Sequence, residues 1–139
     1  NKILIEEEKF GIKKLKTYKK FSKKINKIKE NVINNLARLK KQNNTIVGYG
    51  APAKATTALN FFGISKEINY IVEDNKLKHN KFLPGVKIPI VSKKKIEGKK
   101  FPIVVLAWNY FNEIKKNNIK VKGKFINIKD LEKKFFKNN

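Results

Sequence analysis

Between Lys13 and Lys41 the chain contains neither glycine nor proline, and Leu15, Tyr18, Phe21, Ile25, Ile28, Val32, Leu36 and Leu39 return at steps of three or four. That spacing draws one apolar stripe along a long amphipathic helix. The stripe is expected to pack on the rest of this chain or on whatever precedes it in a longer protein, with a coiled coil between two copies as the alternative. A shorter helix over residues 2–9 should end near Gly11, a residue suited to the left-handed turn that closes helices. After Gln42-Asn43-Asn44 the period changes. Thr45–Tyr49 is a β-branched run expected as a strand, and a helix from about Pro52 to Phe62 follows, stopped by Gly63. Ile68–Val72 is a second strand, and two strands joined by one helix form a parallel pair.

Further along, Lys76–Ser92 is expected as a loop with a Pro84-Gly85 turn and a short extended piece at Val86–Val91, broken by Pro89. Lys93–Glu97 suggests one helical turn. Ile103-Val104-Val105-Leu106-Ala107 is continuously apolar, as in a strand buried on both faces of a parallel sheet. A helix over Tyr110–Asn117, a last strand over Lys124–Ile128 and a terminal helix or tail over Asp130–Phe136 complete the pattern. Strands alternating with helices predict an α/β, Rossmann-like three-layer sandwich with a mainly parallel sheet over residues 43–139, preceded by a helical lead-in over residues 1–42.

Charge narrows the partners less than its size suggests. There are 34 basic and 11 acidic residues, for a formal charge of +23. Arg38 is the only arginine, and the lysines are spread from Lys2 to Lys137. Nucleic-acid sites favour arginine for bidentate contacts and interleave aromatics among basic residues. The expectation is a solvated lysine surface with one or two phosphate-facing positions, and no nucleic-acid partner. There is no cysteine, hence no disulfide framework or thiolate metal site. No apolar run approaches the ~20 residues of a membrane span and nothing resembles a signal peptide, so a soluble, cytoplasmic domain without a membrane partner is expected. The chain begins at Asn1 and contains no methionine, and it is expected to be a piece of a longer protein.

In open parallel sheets ligands bind beyond the carboxyl ends of the strands. Three such ends carry chemistry: the turn Gly48-Tyr49-Gly50-Ala51 with Lys54, the Glu73-Asp74-Asn75 cluster, and Trp108-Asn109. A strand–glycine–helix junction aims unpaired N–H groups and the positive helix end at one spot, and Lys54 adds a full charge there, so an anion, and above all a phosphate, is the natural guest. Gly48-x-Gly50-x-x-Ala53 fits the relaxed dinucleotide fingerprint, with Glu73 or Asp74 where a ribose-binding acid belongs. This supports an alternative reading, an NAD(P)-type dinucleotide-binding domain of an oxidoreductase or regulator. Tyr49 either bonds a ligand or packs beneath it, and Trp108 either stacks on a base or sugar or belongs to the core. His79, in a lysine-rich loop without a partner at metal spacing, is expected at the surface. No acid–base pair or nucleophile constellation is visible, so the chain alone looks like a binding module.

These residues resemble a known family. Val47-Gly48-Tyr49-Gly50-Ala51-Pro52-Ala53-Lys54, Leu59-Asn60-Phe61-Phe62-Gly63-Ile64, Val72-Glu73-Asp74-Asn75-Lys76-Leu77-Lys78, Pro84–Ile90 and Leu106–Ile114 look, in order, like the signatures of the C-terminal domain of S-adenosylmethionine-dependent sugar C-methyltransferases. Glu8, Gly11-Ile12, Tyr18 and Phe21 resemble that family's helical lead-in. The resemblance implies a three-part enzyme: a zinc-binding N-terminal domain, a central methyltransferase domain that binds S-adenosylmethionine and supplies the catalytic base, and this domain, which helps hold a nucleotide-linked keto-deoxysugar. Carried over, Gly50, Ala51 and Lys54 would lie near the substrate phosphates, with Asp74, Asn75, Lys78, Trp108 and Asn109 lining the rest of the pocket. The chain departs from the family at Ala55, commonly glycine, at Thr56, commonly asparagine, and at Lys78-His79-Asn80, commonly Lys-Gln-Gly. These changes are expected to bear on which base or sugar is accepted.

Overall fold

In the computed structural model, which describes residues 1–134, two helices end on the glycines expected to close them. Helix α1 (Lys2–Phe10) closes on Gly11 at φ 77°, and α2 (Leu15–Gln42) follows. Strand β1 (Val47–Tyr49) leads into α3 (Ala53–Phe62), which closes on Gly63 at φ 74°. Then come β2 (Tyr70–Val72), β3 (Lys81–Phe82), β4 (Pro89–Val91), β5 (Ile103–Val105), α4 (Phe111–Asn117) and β6 (Phe125–Asn127). Short 3₁₀ turns occupy Lys76–Lys78, Lys93–Ile96, Trp108–Tyr110 and Ile128–Glu132.

The six strands lie in the order β3-β4-β2-β1-β5-β6. All neighbours are parallel except β3, which runs antiparallel to β4, with Lys81 opposite Ile90 and Phe82 opposite Pro89. The fold is therefore α/β with a mixed, mostly parallel sheet. Alternation along the strands divides the core. Ile71, Ile90, Val104 and Ile126 face a cluster with Val32, Leu36 and Leu39 of α2 and Leu59 of α3. Val47, Tyr49, Tyr70, Val72, Ile103 and Val105 face the opposite cluster, with Ile96 and the half-buried Phe111 and Ile114. On the α2 side of the sheet Gly48 leaves no room for a side chain, since a Cβ there would stand 2.9 Å from Cγ1 of Ile71 on the neighbouring strand and 3.0 Å from Leu106 Cδ1.

Three expectations are corrected. The loop over Lys76–Ser92 contains the exposed strand β3. Pro89 opens β4 instead of breaking an extended piece, because the first residue of a strand tolerates a missing N–H. The segment at the chain end is a 3₁₀ turn, Ile128–Glu132, clamped to α2 by Asn35, whose Nδ2 donates to the carbonyls of Leu131 (2.8 Å) and Lys133 (2.9 Å). The remainder of the expected Asp130–Phe136 segment, Phe135 and Phe136, lies outside the described residues. The long apolar stripe is split: its C-terminal part is core, whereas Leu15, Tyr18 and Phe21 are exposed, as are Ile3, Leu4, Ile5 and Phe10 of α1.

The runs that carry the resemblance also hold the fold together. Asn60 Nδ2 donates to the carbonyl of Pro84 at 2.9 Å, tying the end of α3 to the turn before β4. Gly85 leaves room for that amide.

Candidate functional site at the strand ends

The order of the strands reverses at β1, which has β2 on one side and β5 on the other. Their carboxyl ends are joined by backbone bonds: Gly50 N–H donates to Val72 O at 2.8 Å, and Leu106 N–H donates to Tyr49 O at 2.9 Å. Gly50, at φ 86°, lets the chain turn while the segment just after β5 passes so close that a Cβ would stand 2.9 Å from the Ala107 Cβ. A β-branched residue would be strained there twice over. The helix begins at Ala53, with Pro52 at its N-cap in an extended conformation instead of inside the first turn.

On the β5 side of this crevice, Lys54 projects from the first turn of α3 over two aromatic rings. Its Nζ lies 4.4 Å from the Trp108 ring centroid and 5.9 Å from that of Tyr110, within cation–π range. Trp108 is half-buried against the α2-side core, so its ring gives the ammonium a fixed floor. Asn109 is exposed beside it.

The β2 side is a hydrogen-bonded knot. Glu73 accepts from the backbone N–H of Ala51 at 2.8 Å and from that of Asn75 at 3.1 Å. Lys78 Nζ donates to Ala51 O at 2.9 Å and stands 3.5 Å from the same carboxylate. Burial works against the charge of Glu73, but the N–H groups of Ala51 and Asn75 and the ammonium of Lys78 outweigh it, and its carboxyl is held below the usual range. Asn75 uses its side-chain oxygen to accept from Leu77 N–H at 3.0 Å, capping the 3₁₀ turn that carries Lys78. His79 is not a free surface group: its Nε2 lies 2.7 Å from the carbonyl of Glu73. Asn80 has φ 60°, a left-handed conformation that asparagine accepts better than most residues. Asparagine at this position thus keeps the turn.

Tyr49 is a packed residue with an occupied hydroxyl. It is 2% exposed, donates to Asp74 Oδ2 at 2.9 Å, and accepts from Asn118 Nδ2 at 3.1 Å. Asp74 reaches outward, 3.6 Å from Lys93 Nζ, at the mouth of a cavity of about 230 Å³ lined also by Glu73, Tyr110, Glu113 and Asn118. Burial, and after it the hydrogen bond with Asp74, pushes the Tyr49 phenol up to about 12. Neutral phenol is thus favoured in the folded protein. The unfolded chain loses this proton near pH 10 and the folded one near pH 12, so stability present below pH 10 is lost as pH rises through 12, by about 2–3 kcal/mol. In an absorbance titration of the four tyrosines, Tyr49 should be the last to ionise. Tyr49→Phe should remove that final phase, and an unchanged curve would refute the assignment.

The tertiary structure therefore gathers Gly50, Ala51, Lys54, Asp74, Asn75, Lys78, Trp108 and Asn109 at the carboxyl ends of the central strands. Gly48 stays inside, where it serves packing. Tyr110, Lys93 and Asn118 join the site without having been expected there. Among the described residues no group of three or more His, Cys, Asp and Glu side chains is placed to hold a metal ion, and no helix is long and apolar enough to cross a membrane. The arrangement offers ammonium groups, an outward carboxylate and aromatic faces, which suits binding of a polar anionic ligand.

A family model described as "C-methyltransferase C-terminal domain" matches residues 1–128. The C-methyltransferase NovU of Streptomyces niveus is 32% identical over 130 residues, an alignment that covers 89% of this chain and 31% of that protein. The chain thus spans about a third of the length of the relative it matches.

Proposed function

The chain belongs to the family of C-methyltransferase C-terminal domains, and from this premise we propose that it is the nucleotide-sugar-binding part of an S-adenosylmethionine-dependent methyltransferase acting on a nucleotide-linked keto-deoxysugar. The observation that carries the reading is the Lys54 ammonium held over Trp108 where the strand order reverses. A parallel sheet binds ligands at such a point. Lys54 meets a phosphate of the substrate, Trp108 and Tyr110 offer a face to its base or sugar, and Asp74, Asn109 and Lys78 bond hydroxyls and carbonyls at the strand ends. Without β3 the strand order is β4-β2-β1-β5-β6, all parallel, which supports a Rossmann-like assignment.

S-adenosylmethionine is not assigned to this turn, whose Ala51 N–H is already bonded to Glu73. The proposal places that cofactor, and the zinc of this family, outside the chain. The partner of this domain is then its own upstream methyltransferase domain in the cytoplasm, and the exposed apolar residues of α1 and early α2 support a neighbour there. Nucleic acid is not proposed as a partner.

Calorimetric titration of the full-length protein with a pyrimidine nucleoside diphosphate tests the reading, and Trp108 fluorescence gives a second signal. Lys54→Ala should weaken binding by about tenfold or more, as expected for loss of one charge-assisted contact. Unchanged affinity would remove Lys54 from the site. No binding by the intact full-length protein would overturn the nucleotide-sugar assignment.

A further inference from the structure

We propose that Glu73 is the specificity-determining residue of the strand-end site: its carboxylate occupies, from within the chain, the place that a ligand's pyrophosphate takes at a strand–glycine–helix turn. The turn is thereby closed to dinucleotides, and a ligand's phosphate is displaced outward to Lys54. Only this last clause rests on the nucleotide-sugar reading. Turns of this kind bind phosphate because their backbone N–H groups face it and the helix end favours negative charge. Here the N–H of Ala51 already donates to Glu73 Oε2 at 2.8 Å, while Glu73 Oε1 accepts from Asn75 N–H at 3.1 Å. Lys78 completes the enclosure, 3.5 Å from Oε2 and bonded to Ala51 O at 2.9 Å.

The carboxylate is not free to swing away. The Glu73 backbone is pinned on both sides, its N–H donating to Val91 O at 3.1 Å and its carbonyl 2.7 Å from His79 Nε2. Its side chain is 14% exposed, against 60% for Asp74. In dinucleotide-binding folds the acid after the second strand faces outward to the ribose hydroxyls. In this chain the first acid after β2 turns inward onto the glycine turn, and only the second, Asp74, faces outward. An entering pyrophosphate would meet a like charge at bonding distance and find its donor taken.

Amide-resolved NMR with inorganic pyrophosphate as the probe, repeated with ADP-ribose, tests this in the protein and in Glu73→Ala and Glu73→Gln. In the unsubstituted protein the Ala51 and Asn75 amides should stay unmoved. In Glu73→Ala they should shift saturably, with affinity gained by at least about tenfold. Lys54→Ala added to Glu73→Ala should leave that gain in place, which separates this result from the test of Lys54 above. Saturable shifts of Ala51 in the unsubstituted protein would overturn the proposal without any variant. A folded Glu73→Ala that binds pyrophosphate no better would overturn it too. Glu73→Gln, which keeps the shape without the charge, should fall between the two, and a Gln variant that gains nothing would refute the part assigned to charge.

Discussion

Gly50→Val is expected to lower stability by about 2–5 kcal/mol, the sum of about 1–2 for a left-handed non-glycine residue and about 1–3 for overpacking. Gly50 has φ 86°, and the added Cβ would stand 2.9 Å from that of Ala107. Gly63 supplies the control, since it has φ 74° but nothing within 4 Å of an added Cβ. Gly63→Val should therefore show the conformational cost alone. Urea unfolding of both variants separates the two effects, and equal losses would mean that the approach of the segment after β5 contributes nothing. The result also bears on the site. Ala107 precedes Trp108, so pushing that segment away from the turn should draw the indole from under Lys54 and change Trp108 fluorescence in the folded variant.

Leu36→Ala should cost about 2–5 kcal/mol, the range for truncating a fully buried leucine that cannot be refilled by collapse. Leu36 is 0% exposed between α2 and the sheet. Phe21 lies on the same apolar stripe at 62% exposure, and Phe21→Ala should stay within about 0.5 kcal/mol of the parent. Chemical denaturation of the two variants in parallel decides the matter. Comparable losses would show that the first half of α2 is packed within this chain after all.

The two halves of α2 show where a sequence pattern stops being informative. Period and length reveal that the segment is helical and has one apolar face. They do not say what covers that face, because covering depends on elements far along the chain, here the sheet and the 3₁₀ turn at Ile128–Glu132. The single histidine gives the same lesson: spacing alone suggested a surface group, yet folding sets it against the Glu73 carbonyl. Strand β3 was illegible for a different reason. It has two residues, both exposed, so no alternation marks it, and only pairing with β4 makes it a strand.

What the amino-acid sequence determined by itself was local and ordered: the helix ends at Gly11 and Gly63, the buried strands at Val47–Tyr49 and Ile103–Val105, the glycine turn between β1 and α3, and the succession of motifs that marks the family. Each follows from the periodicity or conformational freedom of neighbouring residues. What only the tertiary structure decided was which groups satisfy one another. Glu73 reaches Ala51 across 22 positions and Asn118 reaches Tyr49 across 69. No local pattern encodes such a pairing, since it arises only when parallel strands set their carboxyl ends side by side and buried polar atoms must find partners there.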